Sequence, residues 1–410
     1  MKQGFVKVAA ATPKITVADP NQNKTEILNR IKECKKEGAS LIVLPELCIT
    51  GYTCGDLFLQ STLLKAAERV LLEITAETKD VDAVIVLGLP FAWKGKLYNV
   101  AAVLYAGEIL GLVPKYAIPN YNEFYEARHF TKGFQTPVFV TLGEKQVPFG
   151  MNLLFTAKQM PSFRIAVEIC EDLWTPNPPS IAHALAGATI IVNPSASDEI
   201  TGKDIYRRDL VKGQSARLLC GYVYASAGDG ESTQDVVYSG HNLIAENGIL
   251  LAESARFQNE TIYSEIDVER MDEERRRMST FETDAVTHTE ISFSMNLKET
   301  TLTRFVDAAP FVPADKENRD KRCEEILSIQ ANGLKKRIAH TKAKSLVVGI
   351  SGGLDSTLAL LVMTKALDML SMDRKNILAV TMPGFGTTDR TRSEERRVGK
   401  ECRSRWSPYH

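Results

Sequence analysis

No apolar run in this chain approaches the roughly 20 residues needed to span a bilayer. Charge of one sign is also missing, since 50 basic residues against 51 acidic leave a formal net charge of -1. The first shortage argues against a membrane-spanning helix, and the second leaves no basic face of the kind that grips nucleic acid. Ahead of the first strand-like run at Phe5 there is neither a charged-then-apolar leader nor a small-residue cleavage pattern, so the expected location is cytoplasmic. The seven cysteines (Cys34, Cys48, Cys54, Cys170, Cys220, Cys323 and Cys402) are dispersed. They show no C-x-x-C and no Cys/His ligand spacing, which excludes a zinc-type reading and a disulfide framework. They are expected to be free thiols in a reducing compartment, and a free cysteine is most often a small buried hydrophobe. No internal repeat is visible.

What is present is ordinary for globular proteins, with 44% apolar and 25% charged residues over 410 positions, enough for two or three domains. The stretch from Arg392 to His410 has no periodicity and few apolar residues. It is similar, residue for residue, to an in-frame translation of a sequencing-adapter oligonucleotide. We therefore expect residues 392–410 not to be native, with Cys402 and Trp406 carrying no function. Without them the chain holds 44 basic and 48 acidic residues.

From the start to about residue 270, short apolar runs alternate with helical patterns. Strands are expected at Phe5–Ala11, Leu41–Leu44, Ala83–Leu89, Tyr98–Leu104, Ile109–Val113, Arg164–Ile169, Thr189–Val192 and Tyr222–Ala225. Amphipathic helices are expected around Ile27–Cys34, Leu63–Ile74, Pro179–Ala186 and Asp204–Leu219. Ala106-Gly107 and Glu246-Asn247-Gly248 read as hairpin turns. This alternation predicts a layered α/β architecture with sheets inside and helices outside. Residues 276–315, irregular and punctuated by Pro310 and Pro313, read as a linker between a first domain (1–275) and a second (316–391).

Three apolar runs end at chemically loaded residues. Leu41–Leu44 leads into Pro45-Glu46, Ile109–Val113 into Pro114-Lys115, and Arg164–Ile169 into Cys170-Glu171-Asp172. In layered α/β folds ligands gather at the carboxyl ends of strands, so an acid, an amine and a thiol can converge there. A thiol needs a base to become nucleophilic. Glu46 can take the proton of Cys170 and pass it to departing ammonia, Lys115 can supply positive charge to an oxyanion, and the backbone N–H of Glu171 a second donor. The acidic neighbours Glu168, Glu171 and Asp172 are expected to raise the thiol pKa. Taken singly, a surface acid, a solvated lysine and a packed thiol are equally good readings. A Cys-His pairing, with His183 or His241 as partner, is the rival, though neither lies in a local signature of that chemistry.

The strings Leu-Pro-Glu46-Leu, Pro-Lys115-Tyr and Glu-Ile-Cys170-Glu-Asp-Leu-Trp174 resemble the nitrilase superfamily, in family order, over about residues 5–270. The resemblance implies an α-β-β-α sandwich, a Glu46–Lys115–Cys170 triad and a thioester intermediate released by water. The segment from Pro119 to Arg128 resembles glutaminase members. It implies that Glu123 positions the lysine or the substrate and that Tyr121 lines the pocket. Asn193-Pro-Ser195-Ala-Ser197 looks like the loop that reads the amino-acid end of glutamine, which brings in Ser197. Relatives often carry arginine a few residues later, where Lys203 or Arg207 would serve here. Glu171 completes the expected glutamine contacts.

A second constellation follows. Ser345–Ile350 runs as a strand into Ser351-Gly352-Gly353-Leu-Asp355-Ser356 and then a helix. Glycines, hydroxyls and a helix N-terminus together offer donors to an anion. A Walker loop would require a lysine this string lacks. The bland alternative is a tight turn with Asp355 as helix cap. The full string resembles the pyrophosphate loop of ATP pyrophosphatases, at the Rossmann-like start of such a domain. Leu378–Thr391 resembles the next strand and loop of NAD synthetases, where Thr381 is implied to help hold ATP and Asp355 a magnesium ion. A glutaminase followed by such a domain resembles the glutamine-dependent NAD synthetase family. The resemblance implies glutamine, ATP and nicotinate adenine dinucleotide as substrates, Mg2+, homo-oligomeric assembly, and no nucleic-acid or membrane partner. It also implies that the second domain stops early, so that this chain retains at most the glutaminase half. A free-standing amidase acting on another amide, and an inactive scaffold, are the alternatives.

Overall fold

The computed structural model describes residues 1–233, 236–283, 287–381 and 393. The chain divides into two compact units, Met1–Phe305 and a second from Val306 onward. The first contains β1 (Phe5–Ala11), α1 (Pro20–Lys36), β2 (Leu41–Val43), α2 (Ser61–Glu77), β3 (Val84–Trp93), β4 (Lys96–Tyr105), β5 (Glu108–Pro114), β6 (Val138–Leu142) and β7 (Lys145–Phe149). It continues with β8 (Leu153–Ala157), β9 (Arg164–Val167), α3 (Pro179–Leu185), β10 (Ile190–Ser195), α4 (Lys203–Leu218), β11 (Gly221–Ser226) and β12 (Leu243–Glu246). It ends with β13 (Ile249–Glu253), β14 (Thr261–Asp267), α5 (Val268–Arg277) and β15 (Thr289–Phe293).

These strands form two sheets, of order β14-β1-β2-β3-β4-β5-β7-β6 and β13-β12-β11-β10-β9-β8-β15. The side-chain period of two assigns each face. Val6, Val8 and Ala10 of β1 pack against Phe155, Ile165, Val192 and Val223 of the other sheet. Their neighbours Ala9 and Ala11 turn the other way, onto Ile27 and Ile31 of α1 and Val70 and Ile74 of α2. On the far side of the second sheet, Ile191, Tyr222 and Tyr224 meet Ala184 of α3 and Val211 and Leu218 of α4. The first unit is thus the expected α-β-β-α sandwich, with three apolar layers between four tiers.

Local chemistry explains the element ends. The Asp19 side chain caps α1 by accepting from Gln22 N at 3.1 Å, with Pro20 at the first helical position. The expected turn between β12 and β13 is realised, with Asn247 at φ 44° and Gly248 at φ 83°.

The sequence reading missed β6, β7, β8, β14 and β15. The largest difference lies in residues 276–315, expected to be a linker. Instead β15 pairs in parallel with β8, from Thr289↔Leu153 to Phe293↔Ala157, and the first compact unit runs on to Phe305. Its alternation is weak because an edge strand buries little, and only Phe293 of the five is buried.

The second unit contains α6 (Lys316–Thr341), β16 (Leu346–Gly349), α7 (Leu354–Met369) and β17 (Ile377–Val380). β16 and β17 pair in parallel, with α7 as the crossover between them. Ala331, Ile338, Ala366 and Leu367 form its small core. Residues 382–391 of the expected ATP loop, and Cys402 and Trp406 of the expected non-native tail, lie outside the described residues. Among the described residues no helix is long and apolar enough to cross a membrane.

Candidate active site

The site is assembled at the carboxyl ends of parallel strands. β1, β2 and β3 run parallel in one sheet, and β9, β10 and β11 in the other. Glu46 follows β2, Lys115 follows β5, and Cys170 opens a 3-10 turn after β9. The two sheets are joined at these ends, where Glu46 N donates to Ser195 O at 3.4 Å. All three side chains are buried, with Glu46 and Lys115 1% exposed and Cys170 5%.

Lys115 is the electrostatic centre. Its Nζ lies 2.7 Å from Glu46 Oε1 and 2.6 Å from Glu126 Oε1. Burial pulls the lysine pKa down, but the two carboxylates more than offset this and hold the ammonium charged. Glu126 is pushed up to about 7, by burial first, against the pull of Lys115. Tyr52 also donates to Glu126 Oε1, at 2.8 Å. Glu46 accepts three donors, with Lys115 and Asn99 Nδ2 (2.6 Å) on Oε1 and Ala196 N (2.9 Å) on Oε2. Close backbone approach positions this acid. A side chain at Gly88 of β3 would place its Cβ 2.1 Å from Leu47 N and 2.8 Å from Glu46 Cα, which only glycine avoids.

Cys170 adopts φ +44°, a strained conformation for a non-glycine residue. Two acceptors fix the turn. Asn193 Oδ1 accepts from Cys170 N at 2.8 Å and is itself braced by Tyr222 OH, which its Nδ2 reaches at 3.0 Å. Asp172 accepts from Ile169 N at 2.9 Å with one oxygen, and from Ala117 N at 2.7 Å and Tyr116 N at 3.2 Å with the other. Asp172 therefore clamps the segment after Lys115 onto the turn that carries the thiol. Burial and the Glu46 charge raise the Cys170 pKa, while Lys115 and Ser195 lower it. Its three acidic sequence neighbours are not the main cause. Glu168 turns away to accept from Ser180 N and the Tyr222 hydroxyl. No hydrogen bond joins the Cys170 sulfur to Glu46 in this resting arrangement, which is common before substrate tightens a catalytic site.

Glu123 was expected to position the lysine or the substrate. The structure gives the lysine contact to Glu126, three residues on, and both glutamates line a cavity of about 140 Å3 with Tyr52, Phe58, Phe130 and Tyr238. A loop has no period, so nothing in the sequence selects between two glutamates in one string. Tyr121 donates to Glu171 Oε1 at 2.6 Å, and both sit at the rim. Lys203 ion-pairs with Asp198 and lies 5.5 Å from the ring centroids of Phe124 and Trp174. Arg207 is fully buried, held by Glu199 at 2.5 Å, Ser197 Oγ at 3.1 Å and His241 at 2.9 Å. Of the two basic candidates, Lys203 is thus at the aromatic rim and Arg207 is locked behind Ser197.

The rival Cys-His pairing finds no geometry. His183 Nδ1 meets His288 at 2.8 Å and its Nε2 faces Val167 O, while His241 bridges Arg207 and Glu253. Burial pushes the pKa of His183 down to about 3. The unfolded chain then binds the extra proton first as pH falls below about 6.5, so the neutral folded form loses stability on acidification. We expect the stability advantage of wild type over His183→Gln to shrink by up to about 1.4 kcal/mol per pH unit between pH 6.5 and the lowest pH at which the protein stays folded. Paired denaturant titrations measure this, and a difference independent of pH would refute it.

In the second unit, Gly352 takes φ +75° and the α7 N-cap is Gly353, with no side-chain cap. Ser351 and Ser356 fold over the turn: Gly353 N donates to Ser351 Oγ and Ser351 N to Ser356 Oγ, each at 3.3 Å. Asp355 lies in the first turn of α7 rather than capping it, and like Thr381 it is exposed.

Residues 7–276 match the carbon-nitrogen hydrolase family, and residues 326–402 match the NAD synthase family. The chain belongs to the carbon-nitrogen hydrolase family. The glutamine-dependent NAD(+) synthetase of Mycobacterium tuberculosis is 41% identical over 403 residues, covering 96% of this chain and 59% of that protein. The chain therefore spans about three fifths of the length of such relatives. Among solved structures, a glutamine-dependent NAD(+) synthetase from Cytophaga hutchinsonii aligns with TM-score 0.58 and 25% identity over 97% of this chain and 63% of its own. A carbon-nitrogen hydrolase from Helicobacter pylori shares the fold of the first unit, with TM-score 0.54 and 20% identity over 67% of this chain and 93% of its own.

Proposed function

We propose that the first unit hydrolyses the side-chain amide of glutamine through Cys170, as the ammonia-supplying half of a glutamine-dependent NAD synthetase. The observation that carries this reading is the buried Glu46–Lys115 pair, 2.7 Å apart, at strand ends that also carry a strained, buried cysteine on whose thiol both charges act. Glu46 Oε2 takes the thiol proton as Sγ attacks the amide carbonyl, and Lys115 with the Glu171 N–H balances the charge on its oxygen. The C–N bond then breaks and the nitrogen leaves as ammonia, carrying the proton from Glu46. Water attacks the thioester, Glu46 takes its proton, and the sulfur leaves with that proton as glutamate is released. Lys203 faces the substrate carboxylate, Ser197 and Tyr121 flank it, and Glu171 meets the ammonium.

The second unit is the proposed site of ATP. Backbone N–H groups of the Ser351–Ser356 turn, with both hydroxyls, suit a pyrophosphate, and Thr381 lies at the end of the next strand. Among the described residues no cluster of three metal-ligating side chains exists. Asp355 alone fits a Mg2+ ion that takes its remaining ligands from phosphate and water, supplying charge neutralisation. In the complete reaction, ATP would activate nicotinate adenine dinucleotide for amidation to NAD, releasing AMP and pyrophosphate. ATP-dependent protection of this unit from proteolysis, lost in Ser356→Ala, would support that assignment.

Glutamine, asparagine and simple aliphatic amides distinguish the readings of the first unit. Rapid acid quench with glutamine should trap a γ-glutamyl adduct on the peptide bearing Cys170, with the ammonia released equal to glutamate plus adduct. Preference for another amide would mean a free-standing amidase. Ammonia release from none would leave a scaffold.

A further inference from the structure

We infer that Asn99 is a positioning residue for the base Glu46, selecting which carboxylate oxygen takes the thiol proton; this rests on the amidase reading above. Asn99 is buried on β4, between β3 and β5. Its side-chain Nδ2 donates to Glu46 Oε1 at 2.6 Å, and its main-chain oxygen accepts from Lys115 N at 2.8 Å. One residue thereby touches both charged members of the proposed triad.

The consequence follows from lone pairs. Each carboxylate oxygen offers about two acceptor positions. On Oε1 both are filled, by Lys115 Nζ and Asn99 Nδ2, whereas Oε2 holds only Ala196 N. The one acceptor position left open belongs to Oε2, and that is where a proton from Cys170 must go. Without the Asn99 donor, Oε1 competes for the proton in an orientation held by Lys115, and the ionised form of Glu46 loses a stabilising hydrogen bond.

A second observation separates this role from ordinary packing. Asn99 Oδ1 is buried and finds no partner among the described residues. An unpaired buried carbonyl costs free energy, so the oxygen of this amide contributes nothing to the fold, and its contribution is the donor on Glu46. The amide is therefore held for what its nitrogen does.

The test uses the full chain as wild type, Asn99→Leu, Asn99→Asp and Cys170→Ala. Glutamine hydrolysis is followed over pH, alongside denaturant midpoints. For Asn99→Leu we expect kcat to fall about 10- to 100-fold, with KM within about twofold and a modestly lower midpoint, since the buried Glu46 carboxylate loses one donor. The acid limb of kcat/KM should move to higher pH. Around the base stand Lys115, Glu126, Cys170, Glu171, Glu231, Tyr52 and Tyr238, of which the lysine and both tyrosines keep their protons throughout that limb while the buried carboxyls couple to one another. The shift between variants, rather than its absolute position, is therefore the readout. Asn99→Asp, which replaces the donor with a second negative charge, should lose more. A kcat equal to wild type in Asn99→Leu overturns the proposal. So does a kcat loss matched by a falling midpoint with an unmoved acid limb. If wild type itself releases no more ammonia than Cys170→Ala, the amidase reading fails first, and the inference with it.

Discussion

Lys115→Met is expected to cost both the fold and the activity. Removing the ammonium leaves Glu46 and Glu126 facing each other in a buried pocket, where each had Lys115 within 2.7 Å. Breaking a buried ion pair by deleting one partner typically costs about 3 to 5 kcal/mol. Here the loss is limited because one carboxylate can take up a proton instead. The sign of the pH dependence follows. A carboxyl group whose folded-state pKa is raised contributes stability that is present at low pH and lost as pH rises. The deficit relative to wild type should therefore grow from about pH 5 to pH 8, as read from denaturant midpoints. Amide hydrolysis should fall by about three orders of magnitude or more, since oxyanion charge and base geometry are lost together. A variant as stable as wild type at pH 8 would mean that the two carboxylates are not held against the lysine.

Much of this site was legible because its chemistry sits at strand ends. Pro45-Glu46, Pro114-Lys115 and Cys170 each follow a run of apolar residues, and a run buried on both faces marks a central strand without ambiguity. The structure brings the first two into direct contact and buries the third where both of their charges act on its thiol. What the sequence did not reveal are the residues that support them. Glu126 opens a short 3-10 turn three residues after Glu123, and only the path of that segment decides which one reaches the lysine. Asn99 stands inside β4, where a polar residue in an apolar run reads as an exception to the pattern rather than a contact across the sheet. Asp172 looked like one more acid near a thiol, yet its oxygens accept three backbone N–H groups from two segments. Edge strands were lost for a related reason. β6 alternates in burial, but exposed Phe139 hides that alternation in the sequence, and β15 buries one side chain, so neither reads as a strand of the interior.

The same division between chemistry and support sets the expectation for Cys170→Ala. The strained φ of Cys170 is imposed by Asn193 and Asp172 acting on the backbone, and an alanine Cβ meets the same strain as a cysteine Cβ. The sulfur makes no hydrogen bond with Glu46, so its removal unpairs no charge. Its burial raises the thiol pKa, so the resting sulfur is largely neutral at pH 7 and does not offset the charge of Lys115. Stability should therefore stay within about 1 kcal/mol of wild type, the cost of a small cavity. Hydrolysis, in contrast, should drop by about four orders of magnitude or more, because the sulfur that forms the proposed acyl bond is gone. Glutamine should still bind, and should raise the thermal midpoint of Cys170→Ala with the logarithm of its concentration once that exceeds Kd. Lys115→Met and Cys170→Ala thus separate the two parts of the site, one losing activity with the fold and the other losing activity alone. Residual ammonia release from Cys170→Ala above about one hundredth of wild type would place the nucleophile elsewhere.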